Sequence, residues 1–289
     1  MNTNTRIRVV IRCRGAGADI FRTLVSLACQ TVGPQRLSIV LASTQPQQHY
    51  GPEALLLQSS LGFHSVEVLD AAGQHPVKSI NAAMLEGQEE TLALVPEGAR
   101  LSPRFAARCL EALERQQAQA AFPLHTAGTP DNSPLITAWN RVRPFSTEQL
   151  TRCNPIGPAA LVRREAWERL GGLRPDLQLY LWDYWLRLAL SGGGIARVPE
   201  LLAYCRPQHK LPPWQDGQAK ALLVTSMPGA FEPDACRWAL AFLRDEAWAK
   251  PFTPGIIPSP REVRAMYAGQ SAPHQAPVWG WGPGDLRTA

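Results

Sequence analysis

The 289-residue sequence lacks the features that define several large classes of protein. It contains no stretch of 18 consecutive apolar residues, so no membrane span is expected. Its 29 Lys and Arg exceed its 24 Asp and Glu by five charges, but the basic residues form no run of five to eight. Because such runs are typical of nucleic-acid-binding surfaces, we expect no nucleic-acid partner. The composition, 45% hydrophobic and 18% charged, is that of a soluble globular protein.

The cysteines give no metal-binding or disulfide framework. The nearest two of the six, Cys13 and Cys29, are 16 positions apart, and there is no CxxC pair. The first residues have arginines before and within their apolar stretch and lack a small-residue cleavage site, which argues against a secretory signal. These observations predict buried thiols and a cytoplasmic location.

Short apolar runs alternate with segments of helical period between residues 6 and 127. The runs predict strands, and the segments between and after them predict helices. The predicted strands are 8–13, 36–43, 65–70 and 91–96, and the predicted helices are 18–30, 52–61, 76–87 and 102–116, the last with Ser102 as its N-cap. This alternation is typical of a parallel sheet with crossover helices.

The pattern changes after residue 127. A polar, turn-rich stretch is followed by elements at 159–172 and by a helix at 180–194 that glycines close. Residues 195–206 then predict a strand or a strand pair, and 234–250 predict a helix. A tail rich in proline and glycine follows.

Five strings in this order resemble family 2 glycosyltransferases of GT-A fold. They are SLACQT (26–31), VKSINAA (77–83), RLSPRFAARCLEAL (100–113), LVRREAWERLGGLRPDL (161–177) and LWDYWLRLALSGGGIARVPELLAYCRPQH (181–209). The resemblance covers about residues 6–209. It implies an α/β fold of GT-A type, in which a mostly parallel sheet has helices on both faces.

The resemblance also implies a division of the chain. Residues 1–209 would form the glycosyltransferase-like domain, with a nucleotide-binding half at about 6–127 and an acceptor half at about 128–209. Residues 210–289 would form a C-terminal helical and irregular extension. The implied partners are a nucleotide-sugar donor, an acceptor that is a glycan, lipid or protein, and a partner glycosyltransferase.

The acidic motifs of the family are degenerate in this sequence. The family holds a divalent ion with paired carboxylates after the strand that precedes residue 100, whereas LVPEGARLSP (94–103) contains Glu97 alone. The second predicted strand ends in IVLAST (39–44), without the family's nucleotide-binding Asp. The family's Glu-Asp pair is replaced by Tyr180 and Leu181, although Asp183 remains. We therefore expect no metal site and no required cofactor.

One hypothesis keeps catalysis and replaces the metal ion by protein cations. Arg12 and Arg14 lie at the C-terminal end of the first strand, and the resemblance implies that Lys78 and Arg100 fall on loops at the same edge of the sheet. Guanidinium groups bind phosphate oxygens directly, so these four residues are predicted to hold the diphosphate. Asn81, retained from the family string, joins them as a nucleotide-binding residue.

The same hypothesis assigns the catalytic base to Asp183 or Glu97, which would take the proton of the acceptor hydroxyl. Each candidate also has a structural interpretation. Arg12 and Arg14 fit one solvent-facing side of a strand end, Lys78 and Arg100 fit a solvated surface, and Asp183 fits a surface ion pair with Arg187, four residues on.

A second hypothesis is a catalytically inactive pseudo-glycosyltransferase. Such a protein would bind a sugar, a nucleotide or a partner glycosyltransferase and do no chemistry. The loss of acidic residues at every motif, rather than at one, favours this alternative.

Overall fold

A sheet of eight strands lies within the described residues of the computed structural model, which are 5–13, 17–43, 58–70, 73–127, 146–205 and 211–269. The strands are β1 (Ile7–Cys13), β2 (Leu37–Ser43), β3 (Ser65–Asp70), β4 (Thr91–Pro96), β5 (Arg100–Leu101), β6 (Ala120–Ala127), β7 (Ala160–Arg163) and β8 (Ile195–Cys205). Their order across the sheet is β3-β2-β1-β4-β7-β6-β8-β5.

The α-helices with bounds in the described residues are α1 (Gly17–Ala28), α2 (Pro76–Leu85), α3 (Phe105–Arg115), α4 (Thr147–Leu150), α5 (Arg164–Leu170), α6 (Tyr180–Leu190), α7 (Pro213–Ser226), α8 (Pro233–Leu243) and α9 (Pro260–Tyr267). Residues 58–61 are helical as well. None of the described helices has both the length and the apolar character that a membrane crossing requires.

Strand β1 is the centre of the parallel half of the sheet. It pairs in parallel with β2 on one side and with β4 on the other, and β2 pairs in parallel with β3. Both faces of β1 are covered, which explains why the strand reads as a nearly continuous apolar run. The predicted α/β fold, with its mostly parallel sheet and helices on both faces, is confirmed.

The two faces of β1 pack against different helices. Ile7, Val9, Ile11 and Cys13 belong to a core cluster that includes residues of α1 and α3. Arg8 lies on the other face, where its Nε donates to the carbonyl oxygen of Ala83 in α2 at 2.6 Å. Because successive residues of a strand alternate between faces, Arg12 belongs to the face that α2 covers.

Arg8 is the most deeply buried arginine of this half, with 1% of its surface exposed. Its guanidinium group lies 2.9 Å from the carboxylate of Glu67 and 3.8 Å from that of Glu89. Burial acts to raise the pKa of Glu89, but hydrogen bonding and the charges of Arg8 and Arg164 outweigh it, so the pKa is lowered. This network of ion pairs lies at the amino ends of the parallel strands.

The other half of the sheet is mixed. Strand β7 runs antiparallel to both β4 and β6, and β6 runs parallel to β8. The register between β6 and β8 shifts at Pro123 and Leu124, where proline cannot donate to the ladder. The short β5 pairs antiparallel with the end of β8, joining Arg100 to Tyr204.

The described residues pack as two units. Unit one takes its residues from Met1–Arg141, Ile156–Pro175 and Arg187–Pro207, and it contains the sheet. Unit two takes its residues from Val142–Pro155, Asp176–Leu186 and Gln208–Ala289. The predicted division of the chain at residue 209 remains a prediction.

Unit two has an aromatic core of its own. Trp238 of α8 is fully buried, and its Nε1 donates to the carbonyl oxygen of Ala249 at 2.9 Å. The rings of Phe242 and Phe252 lie 5.5 Å apart, each within 5.6 Å of the Trp238 ring.

Ser259 caps α9 in a capping box with Glu262. Arg152 also pairs with Glu262, at 2.9 Å.

Several predicted elements differ in detail from those observed. The helix predicted at 102–116 begins at Phe105, after Arg104 rather than after a Ser102 cap. The segment predicted at 159–172 is a strand followed at once by a helix, β7 and α5. Residues 195–206 form the single strand β8 rather than a pair.

Candidate functional site

The strands β1, β2, β3 and β4 end together at one edge of the sheet, which we call the carboxyl edge. The chain moves from β1 outward through β2 and β3, and then returns to the other side of β1 as β4. Open α/β sheets bind ligands where the strand order reverses in this way. Arg12, with a partly exposed side chain, is in register with Ala42 and Pro96. It therefore lies at the switch point between β1 and β4.

A tight turn follows β4 at the switch point. The amide of Ala99 donates to the carbonyl oxygen of Pro96 at 3.1 Å, and Gly98 has a φ of 81°. These features define a type II turn, in which the third position requires positive φ and so favours glycine. Glu97 occupies the second position.

Glu97 directly follows Pro96, the β4 residue that is in register with Arg12 of β1. Burial, and secondarily the negative charge of Glu97, raises the pKa of the Cys13 thiol to about 12. Cys13 is therefore a neutral core thiol at neutral pH and not a nucleophile. Cys13 ends β1 and Glu97 follows the end of β4, so the two residues lie at the same edge of the sheet.

Arg100 begins the strand that follows the turn. Consecutive Cα atoms are about 3.8 Å apart, so the four residue steps from Pro96 to Arg100 keep their Cα atoms within about 15 Å of each other. Strand β5 nevertheless pairs with β8, at the far end of the sheet order. The sheet must therefore curl, which brings the end of β8, with Tyr204, towards the carboxyl edge.

Helix α2 contributes Lys78 and Asn81. It follows β3 and so begins at the carboxyl edge. There, Nδ1 of His75 accepts a hydrogen bond from the backbone amide of Val77 at 3.3 Å. Lys78 is exposed in the first turn. Asn81 is bound to another segment, because its Nδ2 donates to the Leu173 carbonyl at 2.8 Å and its Oδ1 accepts the Leu173 amide at 2.9 Å.

The two further predicted site residues are Arg14 and Asp183. Arg14 lies outside the described residues. Asp183 is fully buried in α6, so the alternative of a solvent-exposed ion pair with Arg187 does not describe it. Arg187 itself donates to the carbonyl oxygens of Leu170 and Gly172, at 2.6 and 2.5 Å.

The side chains after β4 do not fit the divalent-ion site of the family. The type II turn presents the single carboxylate of Glu97, and its third position is a left-handed glycine. In the part of the chain that the structure describes, no group of three or more His, Cys, Asp or Glu side chains has the arrangement of a metal site.

Sequence reasoning assigned no role to His125. It lies near the end of β6. Strand β6 is antiparallel to β7, and β7 is antiparallel to β4, so β6 runs in the same direction as β4 and ends at the carboxyl edge. Burial lowers its pKa to about 4, so the ring is neutral at neutral pH. A β-carbon on Gly157 would lie 2.4 Å from its Nδ1. Spacing along the chain could not reveal this contact between residues 32 positions apart.

Comparisons with known proteins give structural relatives only. No family model matches the chain, and no curated protein matches it. A mannosyltransferase from Pyrobaculum calidifontis, in complex with GDP-Man and Mn²⁺, has a TM-score of 0.62 at 16% identity over 95% of this chain and 77% of its own.

A second similar protein is TarS from S. aureus. Its residues 1–349 match with a TM-score of 0.60 at 11% identity, over 84% of this chain and 72% of that one. The same fragment in complex with UDP-GlcNAc has a TM-score of 0.62, also at 11% identity, over 84% and 73%. The chain shares the α/β fold of these structures.

We expect Asn81→Ala to lower the free energy of unfolding by about 2 kcal/mol, because it removes two hydrogen bonds at about 1 kcal/mol each. Lys78→Ala, on the exposed side of the same helix, should leave stability within about 0.5 kcal/mol of the wild type. Urea unfolding measures both values. Equal stability of the two variants would contradict the bridging role of Asn81.

The neutral His125 predicts a pH dependence of stability. Its pKa is about 4 when folded and 6.5 when unfolded, so below pH 6.5 the unfolded chain binds a proton that the folded chain does not. Stability should therefore fall between about pH 6.5 and 4, by up to about 1.4 kcal/mol per unit from this group. His125→Gln should flatten this acid limb in unfolding curves. An unchanged slope in the variant would count against a buried neutral ring.

Proposed function

We propose that this chain is a glycosyltransferase of GT-A type, related to family 2, that transfers sugar from a nucleoside diphosphate without the usual metal site. The observation that carries the proposal is the switch point between β1 and β4. Arg12 lies there in register with Pro96, beside the turn that presents Glu97. The shared fold with structures in complex with UDP-GlcNAc and GDP-Man supports a nucleotide-sugar donor as the ligand.

Protein cations would hold the diphosphate in this proposal. Arg12 at the switch point, Lys78 in the first turn of α2 and Arg100 after the turn supply positive charge at or near the carboxyl edge. Arg14, which follows Arg12 by two residues, would extend this set. Bidentate guanidinium groups neutralise phosphate charge directly. Asn81 would support the site by fixing α2 to the Leu173 backbone.

The reaction would be a displacement at the anomeric carbon. An acceptor hydroxyl passes its proton to a carboxylate, Asp183 or Glu97, as its oxygen forms the new bond to that carbon. The bond between the anomeric carbon and the diphosphate oxygen breaks, and its electron pair stays on the diphosphate. The cations stabilise this charge as it develops.

The burial of Asp183 favours a second candidate function. The Asp183 carboxylate is buried away from solvent, and the turn after β4 offers only Glu97. A pseudo-glycosyltransferase that binds a nucleotide sugar or a partner glycosyltransferase would tolerate both features. Turnover separates the two candidates.

The remaining expectations about organisation are part of the proposal. Residues 1–209 would act as the catalytic domain and 210–289 as an extension, in a cytoplasmic protein. The acceptor would be a glycan, a lipid or a protein, and a partner glycosyltransferase would share the pathway.

We expect the wild type to bind a nucleotide sugar, with UDP-GlcNAc and GDP-Man as the probes, equally well with Mn²⁺ and with chelator. Arg12→Ala should weaken the binding about 10-fold or more, because a charge-assisted hydrogen bond contributes about 1.5–3 kcal/mol. Calorimetric titration measures each affinity.

Arg115→Ala is the matched control, because this exposed arginine ends α3 ahead of β6, at the opposite edge of the sheet. It should bind as the wild type does. A clear gain of affinity with added Mn²⁺ would refute metal independence, and no binding at millimolar nucleotide sugar would refute the donor site.

The base is identified by comparing Asp183→Asn with Glu97→Gln. Loss of the general base should lower kcat by about 10² to 10⁴. Release of nucleoside diphosphate, measured over a panel of glycan, lipid and peptide acceptors, reports turnover. Donor binding by a wild type that turns over no acceptor would instead favour the pseudo-glycosyltransferase.

A further inference from the structure

We infer that Thr23 is the positioning residue of the proposed donor site, because it fixes the turn that carries Glu97. The inference rests on the proposed function. Thr23 lies in α1, three residues before the string SLACQT, and sequence reasoning gave it no role. Its side chain is fully buried.

The hydroxyl of Thr23 joins two backbone segments. It accepts the amide of Gly98 at 2.9 Å and donates to the carbonyl oxygen of Asp19 at 3.1 Å. The second bond, from a threonine to the residue four positions earlier in a helix, orients the hydroxyl so that its lone pairs face the turn. Both the donor and the acceptor capacity of the group are therefore used.

The Gly98 amide needs a partner from outside the turn. A type II turn forms one internal hydrogen bond, here from Ala99 to Pro96, and leaves the amide of the third residue to find an acceptor elsewhere. Thr23 supplies that acceptor. The bond ties the third residue of the turn to α1 and thereby limits the positions that the neighbouring Glu97 can adopt.

The consequence concerns charge at the switch point. Glu97 directly follows Pro96, which is in register with Arg12 at the end of β1. A carboxylate that could move towards the bound diphosphate would repel it, whereas a fixed one can accept hydrogen bonds from ribose or sugar hydroxyls. Thr23 therefore acts on donor affinity through Glu97, without contact with the donor.

The test compares Thr23→Val with Thr23→Ser. Valine keeps the shape and removes the hydroxyl, and serine restores it. We expect Thr23→Val to bind the nucleotide sugar at least 5-fold more weakly, with faster hydrogen exchange at the Gly98 amide. Thr23→Ser should return the affinity to within about 2-fold of the wild type. Calorimetry and amide exchange by NMR measure the two effects.

Thr91→Val is the matched control, because Thr91 is a buried threonine at the opposite end of β4. It should lower the melting temperature without changing the affinity. A second variant, Gly98→Ala, places a β-carbon on a residue with positive φ and so strains the turn, while Thr23 is unchanged. It should also weaken binding, and it keeps the inference testable if Thr23→Val does not fold.

The possible results test the positioning role of Thr23 and the proposed function separately. Unchanged donor affinity in Thr23→Val or Gly98→Ala, with a wild type that binds, overturns the positioning role and leaves the proposed function standing. An equal loss of affinity in Thr91→Val also overturns it, because general destabilisation then accounts for the effect. A wild type that binds no nucleotide sugar overturns the proposed function first, and the positioning role with it.

Discussion

The parallel pairing of β1 with both β2 and β4 is the constraint on which the rest of unit one depends. A strand buried on both faces needs helices on both, and α1 with α3 covers one face while α2 covers the other. Parallel neighbours also need crossovers, which leave β1 in one direction and return to its other side. The switch point is thus a consequence of how the chain buries β1, and the register of the strands places Arg12 there.

The strings that carry the family resemblance turn out to include residues that join backbone segments. Gln30 donates from Nε2 to the carbonyl oxygens of Ser26 and Ser102, at 2.9 and 2.8 Å, and its Oε1 accepts the amide of Ala106 at 2.9 Å. It therefore satisfies an amide in the first turn of α3, which Arg104 leaves without a side-chain cap. Asn81 likewise binds both the amide and the carbonyl oxygen of Leu173. Such residues report on packing, which explains why they identify the fold better than they identify a ligand.

Much of the fold could be predicted from hydrophobic pattern. The bounds of β3 and β4 match the predicted 65–70 and 91–96. Strand β4 is buried and reads as an apolar run, whereas the edge strand β3 shows alternation at Val66 and Val68. Strand β6 was not predicted, since its sequence, AAFPLHTA, has little β propensity and includes a proline. Its pairing with β7 and β8 sets its conformation, and no local pattern contains that information.

The candidate site was predictable to a smaller extent, for a related reason. Register followed from the strand pattern, so Arg12 could be located at the end of β1 from the sequence. The contacts of Thr23 with Gly98, of Asn81 with Leu173 and of His125 with Gly157 join residues that are 75, 92 and 32 positions apart. Side chains of these types bond in many ways on many surfaces. Only the packed structure selects one partner for each.

The turn after β4 shows why the acidic motif cannot be judged one residue at a time. A paired-carboxylate site needs acids on both sides of position 97, but Pro96 ends a central strand and Gly98 has positive φ. An aspartate at position 98 would meet the cost of a left-handed backbone, and Thr23 holds that backbone in place. The turn after β4 therefore presents one carboxylate, that of Glu97, and its conformation depends on α1 as well as on the loop.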